Sequence, residues 1–222
     1  MAARTFGIFF ILAFISYGLG SGLVDSIVTA PEGLSNIYAN KAQVVVGVIL
    51  MALIHSFVNI GLPVIMLPIL KPYNNRAAYG YLSAAIVATV ILVVGAIFLL
   101  LLLPLSDEYV KAGSSVTPYF ETMGVVLKKG GHFSYQIGMA IWGLGGLMFC
   151  YLLYQSQIVP RLLSVWGFIG YAIFISGTVL ELFGNSVGVQ MSILGGLFEI
   201  YLSFWFIIKG FNTSAIALES AK

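Results

Sequence analysis

The chain has 222 residues, of which 60% are hydrophobic and 8% are charged, and its formal net charge is +2. A soluble domain carries roughly 25% charged residues, so this composition excludes a soluble globular protein. The small net charge, without a basic stripe interleaved with aromatic residues, argues against nucleic-acid binding. Each membrane-spanning helix needs about 20 apolar residues. Six spans therefore use the chain almost completely, and no separate soluble domain is expected.

The apolar runs are continuous, which favours helices over the alternating pattern of a membrane β-barrel. We predict an all-α integral membrane protein in which residues 1–222 form a single domain, a bundle of six transmembrane helices. Arg4 precedes the first apolar run as in a signal peptide, but we expect this run to be retained as a span. The predicted spans are residues 6–24, 43–70, 77–105, 132–154, 162–183 and 187–208.

Two connections and one span have distinctive features. Pro63 and Pro68 predict a kink in the second span, because each removes a backbone donor. The turn between spans 5 and 6 is only three residues long, so these helices are expected to be antiparallel neighbours. The connection of residues 106–131 contains Thr117-Pro118, which favours a helix start. Apolar residues then recur at helical spacing, at Tyr119, Phe120, Met123 and Leu127.

This pattern predicts a short amphipathic helix before span 4 that lies on the membrane face. A lid over a cavity is the alternative interpretation.

The distribution of basic residues predicts the orientation in the membrane. Six basic residues lie on one predicted side of the membrane, and four lysines lie on the opposite side together with most of the acids. Because positive charge marks the cytoplasmic side, both termini are expected in the cytoplasm. For the same reason we discount the glycosylation pattern Asn212-Thr213-Ser214. The predicted cytoplasmic basic residues are Arg4, Lys71, Arg76, Arg161, Lys209 and Lys222.

Glu199 is the most informative residue, because it lies near the middle of the sixth span, where a charge is costly. With a helix rise of about 1.5 Å per residue, it lies about 18 Å from the outer end of that span. His55 lies at the same depth, about 18 Å, in span 2. The two side chains are therefore predicted to meet if these helices are neighbours. Such a carboxyl can carry a proton or bind a cationic ligand.

Four further polar residues complete the candidate ligand or proton site. Glu181 lies near the outer end of span 5, at a similar level to His132 and Gln136 at the start of span 4. Asn59 shares a helix face with His55. Stripes of small residues on spans 5 and 6 allow close helix approach and predict that both glutamates point inward. The alternative is that Glu199 only links neighbouring helices through hydrogen bonds.

Specific chemistries find little support. A metal site needs three or four converging ligands, and the candidate residues differ in depth, so we predict no metal. His55 and His132 are poorly matched as haem ligands, and no lysine lies within a span to hold retinal. We predict no cofactor. The single cysteine, Cys150, lies in an apolar run. No catalytic motif is present, which argues against an enzyme and leaves catalytic residues unknown.

The region from span 4 onward carries a family resemblance. It contains Ile141-Trp142-Gly143-Leu144, then Tyr151-Leu152, and Pro160-Arg161-Leu162-Leu163, with His132 upstream and Glu199 and Lys209-Gly210 in the final span. This pattern resembles the bacterial multi-pass membrane family known as domain-of-unknown-function family 4386. The resemblance implies a six-helix protein of the bacterial inner membrane, and it implies no activity.

The chain departs from that family pattern at two positions in span 4. Members often have a proline where this chain has Met148, and a lysine where it has Gln155. The missing proline predicts a straighter span 4.

Three functional hypotheses follow. The first is a membrane protein that binds or moves a small molecule or proton at Glu199. The second is a structural or accessory subunit of a larger membrane complex, since the sequence has no soluble domain. The third is an intramembrane enzyme acting on lipid, with Glu181 and His132 as acid and base. The expected partners are the lipid bilayer and either other membrane proteins or further copies of the chain.

Overall fold

The computed structural model describes residues 1–112 and 117–212, and within them all regular structure is helical. Lys222, one of the predicted cytoplasmic basic residues, lies outside the described residues, as do Thr213 and Ser214 of the glycosylation pattern. The helices are α1 Ala2–Val28, α2 Leu34–Ala39, α3 Lys41–Val48, α4 His55–Leu70, α5 Asn75–Leu100, α6 Leu102–Ala112, α7 Thr117–Ser156, α8 Arg161–Leu182 and α9 Gly188–Ile208.

Six segments of the described chain are long and apolar enough to cross a membrane. The predicted all-α membrane class is thus confirmed. Large apolar side chains remain strongly exposed, such as Phe57 at 73% and Phe183 at 80%. Exposed apolar surface of this extent fits lipid contact rather than water contact. The segments are Ala2–Val28, Lys41–Leu70, Asn75–Ala112, Pro118–Ser156, Arg161–Leu182 and Gly188–Ile208.

The second span contains a feature that the sequence did not predict. A π-helical segment, Ile49–Ile54, joins α3 to α4, so His55 is the first residue after it. Short π-helical insertions are rare and often occur at functional sites. Pro63 and Pro68 both lie inside α4. Because Pro63 has no N–H, the carbonyl of Asn59 cannot receive the usual helical hydrogen bond from it.

The connection before span 4 differs in form from the prediction. α7 runs for 40 residues without a break, so the amphipathic segment is its first part rather than a separate helix. Pro118 is compatible with this start because its missing N–H would be unsatisfied there anyway. The next proline in the chain is Pro160, after α7 has ended. Nothing in the intervening sequence removes a helical hydrogen bond.

The described residues divide into two compact units. The first unit, of residues 1–13, 58–89 and 136–212, has a core rich in aromatic side chains. α8 and α9 meet closely within it, because a Cβ added to Gly170 would lie 2.9 Å from the Gly195 Cα. The core includes Phe6, Phe10, Tyr81, Trp142, Phe149, Tyr171, Phe198 and Phe206.

The second unit comprises residues 14–57 and 90–135. Its core is aliphatic and includes Val24, Ile37, Val44 and Leu102. Polar contacts at its helix ends add to this core. Lys41 forms an ion pair with Asp107, and Lys128 donates a hydrogen bond to the Val28 carbonyl.

Candidate functional site

Glu199 lies in α9 and is buried, with 9% of its surface exposed. Its Oε1 atom accepts two hydrogen bonds: one from the Tyr171 hydroxyl at 2.5 Å and one from the Trp142 indole N–H at 3.3 Å. Tyr171 belongs to α8 and Trp142 to α7. One carboxyl oxygen therefore connects three spans.

Small residues make room for this arrangement. A Cβ on Gly146 would lie 2.5 Å from the Tyr171 ring, and a Cβ on Gly167 would lie 2.3 Å from the Phe198 ring. Both distances are far below a normal carbon–carbon contact of about 3.5 Å. Glycine at these positions lets the two rings pack directly against the neighbouring helices. Tyr171 is thereby held in reach of Glu199.

A second polar side chain lies in the same aromatic core. The Tyr81 hydroxyl of α5 is buried and has no hydrogen-bond partner among the residues that the structure describes. Its ring stacks on Phe149, with centroids 4.9 Å apart, and lies 6.4 Å from the Trp142 ring. A buried hydroxyl without a partner is costly, so a role for it is expected. Glu199, Trp142, Tyr171 and Tyr81 are called the carboxyl–aromatic cluster below.

Asn59 contributes a separate interhelical contact in the same unit. Its side-chain amide donates to the Thr89 hydroxyl at 2.9 Å, and both residues are buried. This bond links α4 to α5 and satisfies a polar group that would be costly in a membrane. Gln136, at the start of the same unit's part of α7, is also buried.

His55 belongs to the second unit, where it is buried beside Tyr17 with ring centroids 5.0 Å apart. Tyr17 in turn stacks on Tyr135 at 5.7 Å. The structure therefore describes His55 within an aromatic group of its own unit. Its predicted pairing with Glu199 stays a prediction.

Glu181 lies near the end of α8, whereas His132 lies well inside α7, and the two residues belong to different units. Glu181, in the last turn of α8, accepts a hydrogen bond from the backbone N–H of Gly188 at 2.8 Å. Gly188 is the first residue of α9, and a carboxylate at a helix N-terminus is stabilised by the unpaired N–H groups there. Glu181 thus fixes the short turn between the two spans. His132 is exposed in α7, with its ring 5.9 Å from that of Phe133.

No group of three His, Cys, Asp or Glu side chains placed to hold a metal occurs within residues 1–112 and 117–212. The lipid-acting enzyme and accessory-subunit hypotheses stay predictions.

Sequence reasoning missed Tyr171, Trp142 and Tyr81 as parts of the site. A signal was present in the chain. Tyrosine and tryptophan usually lie at the membrane interfaces, where the polar end of the side chain reaches water. When such a residue lies well inside a span, its O–H or N–H needs a partner within the protein. Both Tyr171 and Trp142 meet that condition, and Glu199 is the acceptor.

The fold and this cluster define a multi-pass helical membrane protein with a buried carboxyl shared among three spans. A family model described as a domain of unknown function (DUF4386) matches residues 5–210. The chain belongs to this family, which confirms the resemblance in the sequence. Searches of curated proteins and of solved structures each gave no match.

Proposed function

We propose that the protein binds and releases a proton at Glu199. This protonation step would drive either a response of the protein to a proton or small cation, or the transport of that ion. The supporting observation is the carboxyl–aromatic cluster, in which the Glu199 carboxyl is buried and accepts hydrogen bonds from two different helices. An ionisable group inside a membrane span marks a functional site by default, because burying it there costs free energy.

A proton is the ligand that fits this site best. The two donors converge on the same oxygen, and the cluster is packed among buried rings such as Phe149 and Phe198. Proton binding requires no additional space there. The protonated carboxyl would gain an O–H donor, and the Tyr81 hydroxyl is a buried group in the same core that needs a partner.

The test compares Glu199→Gln with the matched control Glu181→Gln. The full chain in lipid nanodiscs would be titrated while the carboxyl C=O band is followed by infrared difference spectroscopy. The wild type and the Glu181 variant should show a titrating buried carboxyl, and the Glu199 variant should lack it. In proteoliposomes with a trapped pH dye, proton movement should fall only in the Glu199 variant.

An unchanged infrared band and unchanged proton response in Glu199→Gln would refute the proposal. A loss of stability without any titrating band in the wild type would identify Glu199 as an interhelical contact only.

We also infer a location in the bacterial inner membrane with both termini in the cytoplasm. The family resemblance of the sequence supports the bacterial inner membrane. The excess of basic residues at Arg4, Lys71, Arg76, Arg161 and Lys209 supports the orientation. Single cysteines introduced at Lys71 and at Lys111, in a Cys150→Ala background, provide the test. A membrane-impermeant thiol reagent applied to intact cells should label only the cysteine at position 111. Labelling of position 71 alone would reverse the orientation.

A further inference from the structure

A cavity of about 310 Å³ lies where the turn between α7 and α8 meets the end of α9. Residues 157–161 form one wall, and Trp205 with residues 209–212 forms the other. Asn212 joins the walls: its backbone N–H donates to the Ile158 carbonyl at 3.0 Å. Its side-chain amide donates to the Gln157 carbonyl at 3.4 Å. The cavity is therefore held open by defined contacts between two parts of the chain.

The cavity is positively charged. Arg161 and Lys209 both line it, and none of the acidic residues in 1–112 and 117–212 does. Within the described parts of the chain, neither cation forms an ion pair. Each lies instead over an aromatic ring, Arg161 at 5.1 Å from the Tyr154 centroid and Lys209 at 4.7 Å from the Trp205 centroid. A ring face orients a cation while leaving N–H donors available for an anion.

The start of α8 adds to this positive potential. α8 has 22 residues and begins at Arg161, and no side chain of the described ranges caps its N-terminus. Unpaired backbone N–H groups at a helix start attract anions, phosphate above all. The helix start and the two cations therefore act on the same cavity.

We propose that this cavity binds a phosphate-bearing anion, with Arg161 and Lys209 as the charged contacts. The phosphate of a lipid headgroup and free inorganic phosphate share this chemistry. The neighbouring residues favour the lipid, because Leu162 is 82% exposed and Ile208 is 72% exposed. These apolar side chains, each adjacent in sequence to one of the two cations, would contact acyl chains. Basic pockets between membrane helices bind anionic headgroups in this way.

The test uses the full chain in detergent, with native mass spectrometry to titrate phosphatidylglycerol and phosphatidylcholine, and calorimetry to titrate inorganic phosphate. The variant is R161Q/K209Q, and the matched control is K71Q/R76Q. Lys71 also lies over an aromatic ring, Tyr79 at 5.6 Å, but lies outside the cavity. Each basic residue near an anionic surface contributes about a fivefold change in affinity. The double variant should therefore bind phosphatidylglycerol about thirtyfold more weakly, and the control should bind normally.

Single variants R161Q and K209Q, each expected to weaken binding about fivefold, keep the test decisive if the double variant does not fold. A preference for phosphatidylglycerol that is lost in the cavity variants supports a lipid headgroup site. Binding of inorganic phosphate that is lost in the same variants, without a lipid preference, supports a free-phosphate site. The proposal fails if neither ligand binds the wild type, or if the cavity variants and the control bind equally well.

Discussion

The Tyr171 hydroxyl lies 2.5 Å from the Oε1 atom of Glu199, and this hydrogen bond joins α8 to α9 inside the aromatic core. Their helices also approach closely at two glycines. Gly170 directly precedes Tyr171 in α8, and Gly195 lies one turn before Glu199 in α9. The close backbone approach and the buried hydrogen bond support each other.

Replacing Tyr171 with phenylalanine removes the hydroxyl while keeping the ring. A hydrogen bond to a charged group contributes about 1.5–3 kcal/mol, and one to a neutral group about 0.5–1.5 kcal/mol. The loss of stability should therefore increase with pH, as Glu199 becomes ionised. Thermal or denaturant unfolding in detergent at several pH values measures it. In a Glu199→Gln background the pH dependence should disappear, and its persistence there would contradict the assignment.

The packing around Tyr171 predicts a strong effect of a single methyl group. In Gly146→Ala the new Cβ would lie 2.5 Å from the Tyr171 ring, so we expect a loss of about 1–3 kcal/mol from overpacking. Gly196→Ala is the matched control, because its Cβ would meet nothing within 4 Å. That variant should be as stable as the wild type or slightly more stable. Equal effects of the two substitutions on the unfolding midpoint would show that Tyr171 is not closely packed.

The hydrogen bond between Asn59 and Thr89 can be measured by a double-mutant cycle. Asn59→Leu, Thr89→Val and the double variant should give a coupling energy of about 0.6 kcal/mol, up to about 1.7 kcal/mol, as for other interhelical bonds in membranes. Each single variant should cost more than the coupling, because it leaves a buried polar group without its partner. A coupling energy of zero would mean that the two side chains act independently.

The ion pair of Lys41 and Asp107 should make a small, salt-dependent contribution. Both side chains are about one-third exposed, at 35% and 36%, and exposed pairs contribute about 0–1 kcal/mol. Lys41→Met should lower the unfolding midpoint slightly at low salt and not at high salt. The reversed pair K41D/D107K should restore it. Lys111→Met, which breaks the more exposed pair with Glu108, is the control and should have no measurable effect.

Much of the fold could be predicted from the sequence, because each span must satisfy its own backbone and cover its own surface with apolar side chains. Those requirements are local, and they predicted six helical spans; the described residues contain six helices long and apolar enough to cross a membrane. Two features of the helices differ from what the sequence predicted. The segment after Pro118 is helical as predicted, but it continues into span 4, and the π-helical segment before His55 leaves no mark in composition.

The site was predictable only in part. Glu199 could be identified because an acid inside a span is costly wherever the span lies. The hydrogen-bond donors to Glu199 could not be identified in this way. Depth along each helix indicates which residues lie at the same level in the membrane, but it does not show which helices are neighbours. The same depth argument selected His55, whose pairing with Glu199 stays a prediction; the donors that the structure shows on the carboxyl oxygen are Tyr171 and Trp142.

The sequence by itself determined the class of protein, its family, and the one acid that a membrane interior must compensate. The tertiary structure alone decided what compensates it, because Gly146, Gly167 and Gly170 bring rings and backbones of α7, α8 and α9 into contact. It also decided that Arg161 and Lys209, 48 positions apart in the sequence, line one cavity. Such contacts depend on which helix faces meet, and that choice results from packing over the whole unit rather than from any single segment.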